Sequence, residues 1–214
     1  MYEREVIFTR HLATPNNISG NIMGNVLDID IIGDPKSVEG LSAKIKLFAT
    51  DLGIDAQNTL ICTSPLKRCL STSEVVAKAL TVPSNFLIIK ELEETNMGDF
   101  SGKAASELRQ EFGSLVDEWM FNPEDFKFPN GESYQDLRVR VREVLRKISN
   151  EINHNEYRYV FVCTHVDIIK MTLSEVMGFS FNNRRSFTIG NGSVSVLDLN
   201  KENVWTVKGI NIYP

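Results

Sequence analysis

Three short apolar runs, rich in β-branched residues and interleaved with helical patterns, constrain this chain more than any other feature. They are residues 5–9 (EVIFT), 59–63 (TLICT) and 159–164 (YVFVCT). Runs this short, bounded by turn residues, read as strands buried on both faces. The second leads into a helical pattern over residues 65–80 and the third into one over 167–177. A further amphipathic stretch, 38–52, is closed by Gly53. Strands alternating with helices of this length form a parallel sheet with right-handed crossovers. The tail is different. Residues 193–199 and 204–210 alternate like two antiparallel strands at a sheet edge, with 200–203 as the turn. Between Gly102 and Asn155 the pattern is mostly helical, and its longest helix, 134–152, puts Leu137, Val141, Val144, Leu145 and Ile148 on one face. The expected fold is α/β: a three-layer αβα sandwich with a mostly parallel sheet, an antiparallel edge and a helical insertion at about 103–155. One domain spanning 1–214 is expected.

Composition removes several function classes. Lys and Arg number 23 against 28 Asp and Glu, a net charge of −5, which argues against a nucleic-acid partner, since that needs a basic face. A local basic pocket remains compatible with that balance. No run approaches the roughly 18 apolar residues of a membrane helix, and the first residues lack a signal-peptide pattern. Cys62, Cys69 and Cys163 are odd in number and lack CxxC spacing, so they suit neither a disulfide framework nor a zinc site. Reduced thiols in a cytoplasmic protein are the expectation. Gly190-x-Gly192 precedes a strand instead of opening a helix, so it is no dinucleotide fingerprint.

With three histidines in the chain, imidazole chemistry must draw on His11, His154 or His165. His154 sits in a polar stretch (NHNE) that reads as a surface loop. His11 and His165 each follow a strand, and ligands of open parallel sheets bind outside the carboxyl ends of the strands. Arg10 precedes His11, and Arg68 falls in the first turn of the helix after the second strand. A cation there opposes the helix dipole unless an anion lies nearby. Two arginines and two histidines converging on one sheet edge suit a small, highly charged anion such as phosphate, which guanidinium groups grip bidentately.

These residues resemble a known family. Residues 8–14 (FTRHLAT) resemble the RHGxT signature of the histidine phosphatase superfamily, whose fold is phosphoglycerate-mutase-like. The similarity continues in order through 63–72 (TSPLKRCLST), 92–102 (LEETNMGDFSG), 129–133 (PNGES) with Asp136 and Arg140, 162–165 (VCTH) and 191–194 (NGSV). The resemblance implies that His11 attacks phosphorus in line, giving a phosphohistidine that water hydrolyses. A neutral imidazole is nucleophilic near pH 7. It implies further that Arg10, Arg68 and His165 bind and stabilise the phosphoryl oxygens, with Asn17 and Gly192 completing the substrate-binding set. Glu94 would be the general acid, leaving Glu91 and Glu93 solvated. No metal and no cofactor are implied, because the arginines supply the charge a metal would otherwise provide.

Leu12, Ala13 and Val166 depart from the family pattern, and Leu12 and Val166 suggest a bulkier, more apolar pocket wall. Glu94 and Gly131 are 37 positions apart, less than in the mutases of this fold, whose extra elements close the site against water. The expected activity is therefore that of a metal-independent phosphatase acting on a small phosphomonoester. A phosphoglycerate-mutase-type phosphoryl transferase and a weakly active phospho-ligand-binding regulatory domain are the alternatives. Trp119, Met120, Phe121, Phe126 and Phe128 either roof the leaving group or form the core under the insertion. The expected partner is a small phosphorylated molecule, and the edge strands permit a monomer or a homodimer.

Overall fold

Successive side chains of a strand point to opposite faces of its sheet, and the apolar runs use that alternation to build two cores at once. The protein is described by a computed structural model over residues 4–54, 56–155 and 157–212. Its strands are β1 (Arg4–Arg10), β2 (Thr59–Thr63), β3 (Leu87–Ile88), β4 (Tyr159–Thr164), β5 (Val194–Leu199) and β6 (Trp205–Ile212), in the spatial order β3-β2-β4-β1-β5-β6. Strand β4 pairs in parallel with β1 and with β2, whereas β5 runs antiparallel to β1 and β6 to β5. The helices are α1 (Pro15–Ser19), α2 (Pro35–Leu52), α3 (Lys67–Leu80), α4 (Ala105–Phe112), α5 (Ser114–Phe121), α6 (Tyr134–Asn155) and α7 (Val166–Met177).

Val6, Phe8, Val160 and Val162 face one core, which α6 and α7 close through Leu137, Val141, Ile148 and Ile168. Ile7, Ile61, Phe161 and Cys163 face the other, closed by Leu41 and Ile45 of α2 and Val76 of α3. Three layers follow from this alternation, and each aliphatic or aromatic side chain so buried contributes about 1.5–3 kcal/mol. All six residues of β4 are buried, as the central strand of such a sheet requires. The register sets Arg10 opposite Thr164, and Thr9 and Thr63 both opposite Cys163. The carboxyl ends of the three parallel strands are therefore level, and the loops that follow them are neighbours.

Some boundaries moved for identifiable reasons. Helix α2 begins three residues earlier than its apolar periodicity, because Asp34 caps it by accepting from Ser37 N–H and Pro35 takes the first helical position. His154 lies in the last turn of α6, not in a loop; its Nδ1 is 2.7 Å from the Asn150 carbonyl and its side chain is exposed. Helix α6 belongs to the sheet-covering layer, while α4 and α5 pack over one end of the same core. There the aromatic residues are core: Phe126 and Phe128 are 1% exposed with ring centroids 5.0 Å apart, and Phe100 and Trp119 pack on Phe128. Phe121, by contrast, is 65% exposed. No helix among the described residues is long and apolar enough to cross a membrane.

Candidate active site

The level strand ends bring the two histidines together. His11 N–H donates to the Thr164 carbonyl at 3.0 Å, and Ser64 N–H donates to Cys163 at 3.1 Å. The His11 and His165 ring centroids are 5.2 Å apart. Both rings are buried, as are Arg68 and Glu94.

The hydrogen bonds decide the tautomers. His11 Nδ1 lies 2.8 Å from the Leu12 carbonyl. A carbonyl only accepts, so Nδ1 carries the proton and Nε2 keeps its lone pair. Burial, then the positive charges of Arg10 and Arg68, hold this imidazole well below the ordinary histidine pKa, so it is neutral at pH 7. Arg68 Nε lies 3.3 Å from His165 Nδ1. A guanidinium only donates, which leaves the His165 proton on Nε2, 2.9 Å from Ser64 Oγ. Burial and Arg68 keep His165 neutral in the same way.

Arg68 is fully buried, and its three hydrogen bonds go to His165 Nδ1, the Leu27 carbonyl at 2.8 Å and the Gly24 carbonyl at 2.9 Å. Among the described residues, none reaches a carboxylate. A buried guanidinium without an anionic partner is electrostatically costly, and an anion bound beside it would relieve that cost. Arg10, part-buried at the end of β1, donates to the Ile189 carbonyl at 2.6 Å.

Two expected ligand residues brace the backbone. Asn17 Oδ1 accepts from Thr14 N–H at 3.0 Å and from Asn191 Nδ2 at 3.3 Å, and Asn191 also donates to the His11 carbonyl at 2.9 Å. Gly192 N–H donates to the Arg10 carbonyl at 3.0 Å. Its φ is +70°, a left-handed conformation that favours glycine, and a Cβ there would stand 3.0 Å from Leu12 Cδ2. Leu12 itself is buried in the core beneath α2 and α3, its N–H bonded to Thr72 Oγ1 at 3.0 Å. It is a core residue, not the pocket wall its sequence position suggested. Val166 packs against the opposite core.

The two adjacent glutamates part company. Glu94 is buried, with Oε1 accepting from Thr95 N–H at 3.0 Å. Burial, and next the charge of Asp167, push its carboxyl up to about 7. Glu93 accepts from Asn25 Nδ2 at 3.2 Å and lines a surface groove of about 370 Å³ with Asn25 and Arg140. The loop carrying both is clamped by Arg140, which donates to the Glu91 and Glu93 carbonyls at 2.7 Å and pairs with Glu132 at 2.6 Å. Glu132 Oε1 in turn accepts from Asn96 N–H at 2.8 Å. A Cβ on Gly98 would stand 1.9 Å from the Pro129 carbonyl oxygen, and one on Gly131 2.4 Å from that of Asn96. Only glycines let these two loops approach so closely.

Ser64, Tyr134 and Asp167 were not singled out by the sequence. Asp167 Oδ2 accepts from Tyr134 Oη at 3.1 Å and Thr95 Oγ1 at 3.3 Å. An aspartate in the first turn of a helix is commonplace, so its position carried no distinguishing signal.

The arrangement offers a neutral nucleophilic nitrogen, two cations and a neutral N–H donor for an anion, and a carboxyl able to give a proton near neutral pH. Comparison with known proteins bears on the family and the fold. A family model for the histidine phosphatase superfamily (branch 1) matches residues 6–213. An adenosylcobalamin/α-ribazole phosphatase of Escherichia coli is 24% identical over 193 residues, 90% of this chain and 89% of that protein. A probable 2-carboxy-D-arabinitol-1-phosphatase of Arabidopsis thaliana is 26% identical over 91% of this chain, which spans 38% of that longer protein. Among solved structures, a mycobacterial glucosyl-3-phosphoglycerate phosphatase in complex with VO3 superposes with a TM-score of 0.79 at 19% identity. That match covers 97% of this chain and 98% of the other, and it bears on the fold.

Proposed function

The chain belongs to the histidine phosphatase superfamily, and from that premise we propose that it is a phosphatase hydrolysing a small phosphomonoester through a phosphohistidine on His11. The observation that carries the reading is the buried, carboxylate-free Arg68 guanidinium beside two neutral histidines. That combination fits a phosphoryl group and a nitrogen nucleophile together.

In the proposed reaction the His11 Nε2 lone pair attacks phosphorus as the ester P–O bond breaks. The leaving oxygen takes the bonding pair and the proton of Glu94, so the alcohol departs neutral. General acid catalysis of this kind contributes on the order of 10²–10⁴-fold. Arg10, Arg68 and His165 Nε2–H stabilise the equatorial oxygens. Water then attacks phosphorus, gives its proton to the Glu94 carboxylate and breaks the P–N bond, restoring neutral His11 and releasing inorganic phosphate. Asn17 and Gly192 act by holding the Arg10–His11 backbone, and no metal takes part.

The substrate class follows from the adenosylcobalamin/α-ribazole, carboxyarabinitol and glucosyl-phosphoglycerate relatives by analogy: a soluble organic monoester hydrolysed in the cytoplasm, by a monomer or homodimer. The test is a panel of sugar phosphates, nucleotides and p-nitrophenyl phosphate assayed with EDTA present. Hydrolysis insensitive to EDTA, with an acid-labile phosphoryl label that disappears in His11→Ala, is expected. Undiminished turnover in His11→Ala overturns the reading.

A further inference from the structure

The mechanism above makes no use of Asp167, although this carboxylate is buried beside the proposed acid. It stands in the first turn of α7, two residues beyond His165. Thr95 links the two acids: its N–H donates to Glu94 Oε1 at 3.0 Å and its hydroxyl to Asp167 Oδ2 at 3.3 Å. Repulsion between charged carboxyls in one buried site favours a proton on one of them, and the charge of Asp167 is one cause of the raised Glu94 value.

Geometry decides which of the two carries that proton. Asp167 Oδ2 receives two O–H donors, from Thr95 and from Tyr134 on α6. Its position at the N-terminus of a twelve-residue helix also favours a negative charge. Glu94 receives one backbone N–H. We propose that Asp167 is a positioning residue that keeps the shared proton on Glu94, so that the acid is loaded before each turnover. This rests on the reading of Glu94 as the general acid.

Charged groups face the pair from β1, α3, α6 and α7. Arg10 at the end of β1 and Arg68 on α3 favour an ionised Glu94, and Arg140 on α6 reaches the Glu94 carbonyl at 3.5 Å. Lys170, one turn along α7, is attracted to Asp167 and tied to the Arg184 carbonyl at 2.7 Å. These cations stabilise one negative charge in the site, and the donor set puts it on Asp167. Trp119 Nε1 donates to Tyr134 Oη at 3.0 Å, fixing that hydroxyl as a donor to Asp167. Once Glu94 has protonated the leaving oxygen both carboxylates are charged, and their repulsion favours its reprotonation by the attacking water.

The experiment follows the pH dependence of kcat/KM for p-nitrophenyl phosphate and for glycerol 2-phosphate in Asp167→Asn, Tyr134→Phe and Glu94→Gln. An aryl oxide leaves readily without a proton, whereas an alkoxide does not. In Asp167→Asn the alkaline limb for the alkyl ester should move down by about one pH unit, giving about a tenfold loss above the limb. Tyr134→Phe should move it in the same direction by less, and both variants should keep the aryl rate within about threefold of the parent. An unmoved limb in both variants, or equal losses on both esters, overturns the proposal. An alkaline limb that persists in Glu94→Gln overturns the acid reading beneath it, a separate failure.

Discussion

The aromatic cluster under α4 and α5 and the polar cluster at the ends of β1, β2 and β4 are about equally shut away from solvent, yet they are stabilised in opposite ways. In the first, Phe100, Trp119, Phe126 and Phe128 meet edge to face at 5.0–6.1 Å, an arrangement worth about 0.5–1.5 kcal/mol per pair beyond burial. In the second, a guanidinium with no carboxylate bonded to it among the described residues, two neutral imidazoles and a carboxyl pushed up to about 7 are buried together. Burial of the rings stabilises the fold, and burial of the polar groups selects protonation states. The polar cluster can exist because the pairing of β4 with β1 and β2 fixes the strand ends that carry it.

The largest expected effect removes a ring. Phe128→Ala should cost about 3–5 kcal/mol of stability in urea denaturation, with kcat per folded molecule unchanged. A parallel loss of kcat would break the division between the regions. Next comes Arg68→Gln. Its rate on p-nitrophenyl phosphate should fall by about 10²–10³-fold, as when other preorganised charge-stabilising donors are removed. Its stability should fall by under about 2 kcal/mol, since the bonds lost go to two carbonyls and a neutral imidazole. A stability loss matching that of Phe128→Ala would make Arg68 a structural residue.

The third effect is a slope. Below about pH 6.5 the unfolded chain protonates its histidines, while folded His11 and His165 stay neutral to much lower pH. Each therefore removes about 1.4 kcal/mol of stability per unit of acidification. Glu94 works the other way: between its folded value of about 7 and the ordinary 4.5, the folded protein holds a proton that the unfolded chain lacks, so acid favours the fold. Replacing His165 with Gln should make the acid-side decline shallower by about 1.4 kcal/mol per unit, read from denaturation at pH 5, 6 and 7. The parent's slope in that variant would show that His165 is not buried neutral. The smallest effect is Phe121→Ala, in the exposed ring. It should stay within about 0.5 kcal/mol of the parent, and a larger change would extend the aromatic core to α5's outer face.

Strands β2 and β4 were legible to the residue, because a buried strand is a local apolar run with sharp ends. Strand β3, only two residues long, is too short for any period to show. The start of α2 was written in Asp34, Pro35 and Ser37, a capping signal that apolar periodicity passes over. Arg10, His11, Arg68 and His165 were legible as a group because strand order places them on one edge. Glu94 could be told from Glu93 only by a motif, and the structure supplies the physical difference: one carboxyl is buried beside Asp167, and the other faces a groove. The aromatic residues of the helical stretch fitted a roof or a core equally well in sequence, and packing made Phe126 and Phe128 core.

By itself the sequence determined the layers, the sheet edge and the charged groups that meet there, because alternation and strand–helix order are local properties that survive folding unchanged. The tertiary structure alone decided which groups stay neutral, where Leu12 points and what Asp167 touches. Those depend on burial and on donors brought from afar: Asp167 meets Tyr134 across 33 positions of chain and Thr95 across 72. No local pattern encodes a partner at that distance, and a proton is placed by its partners.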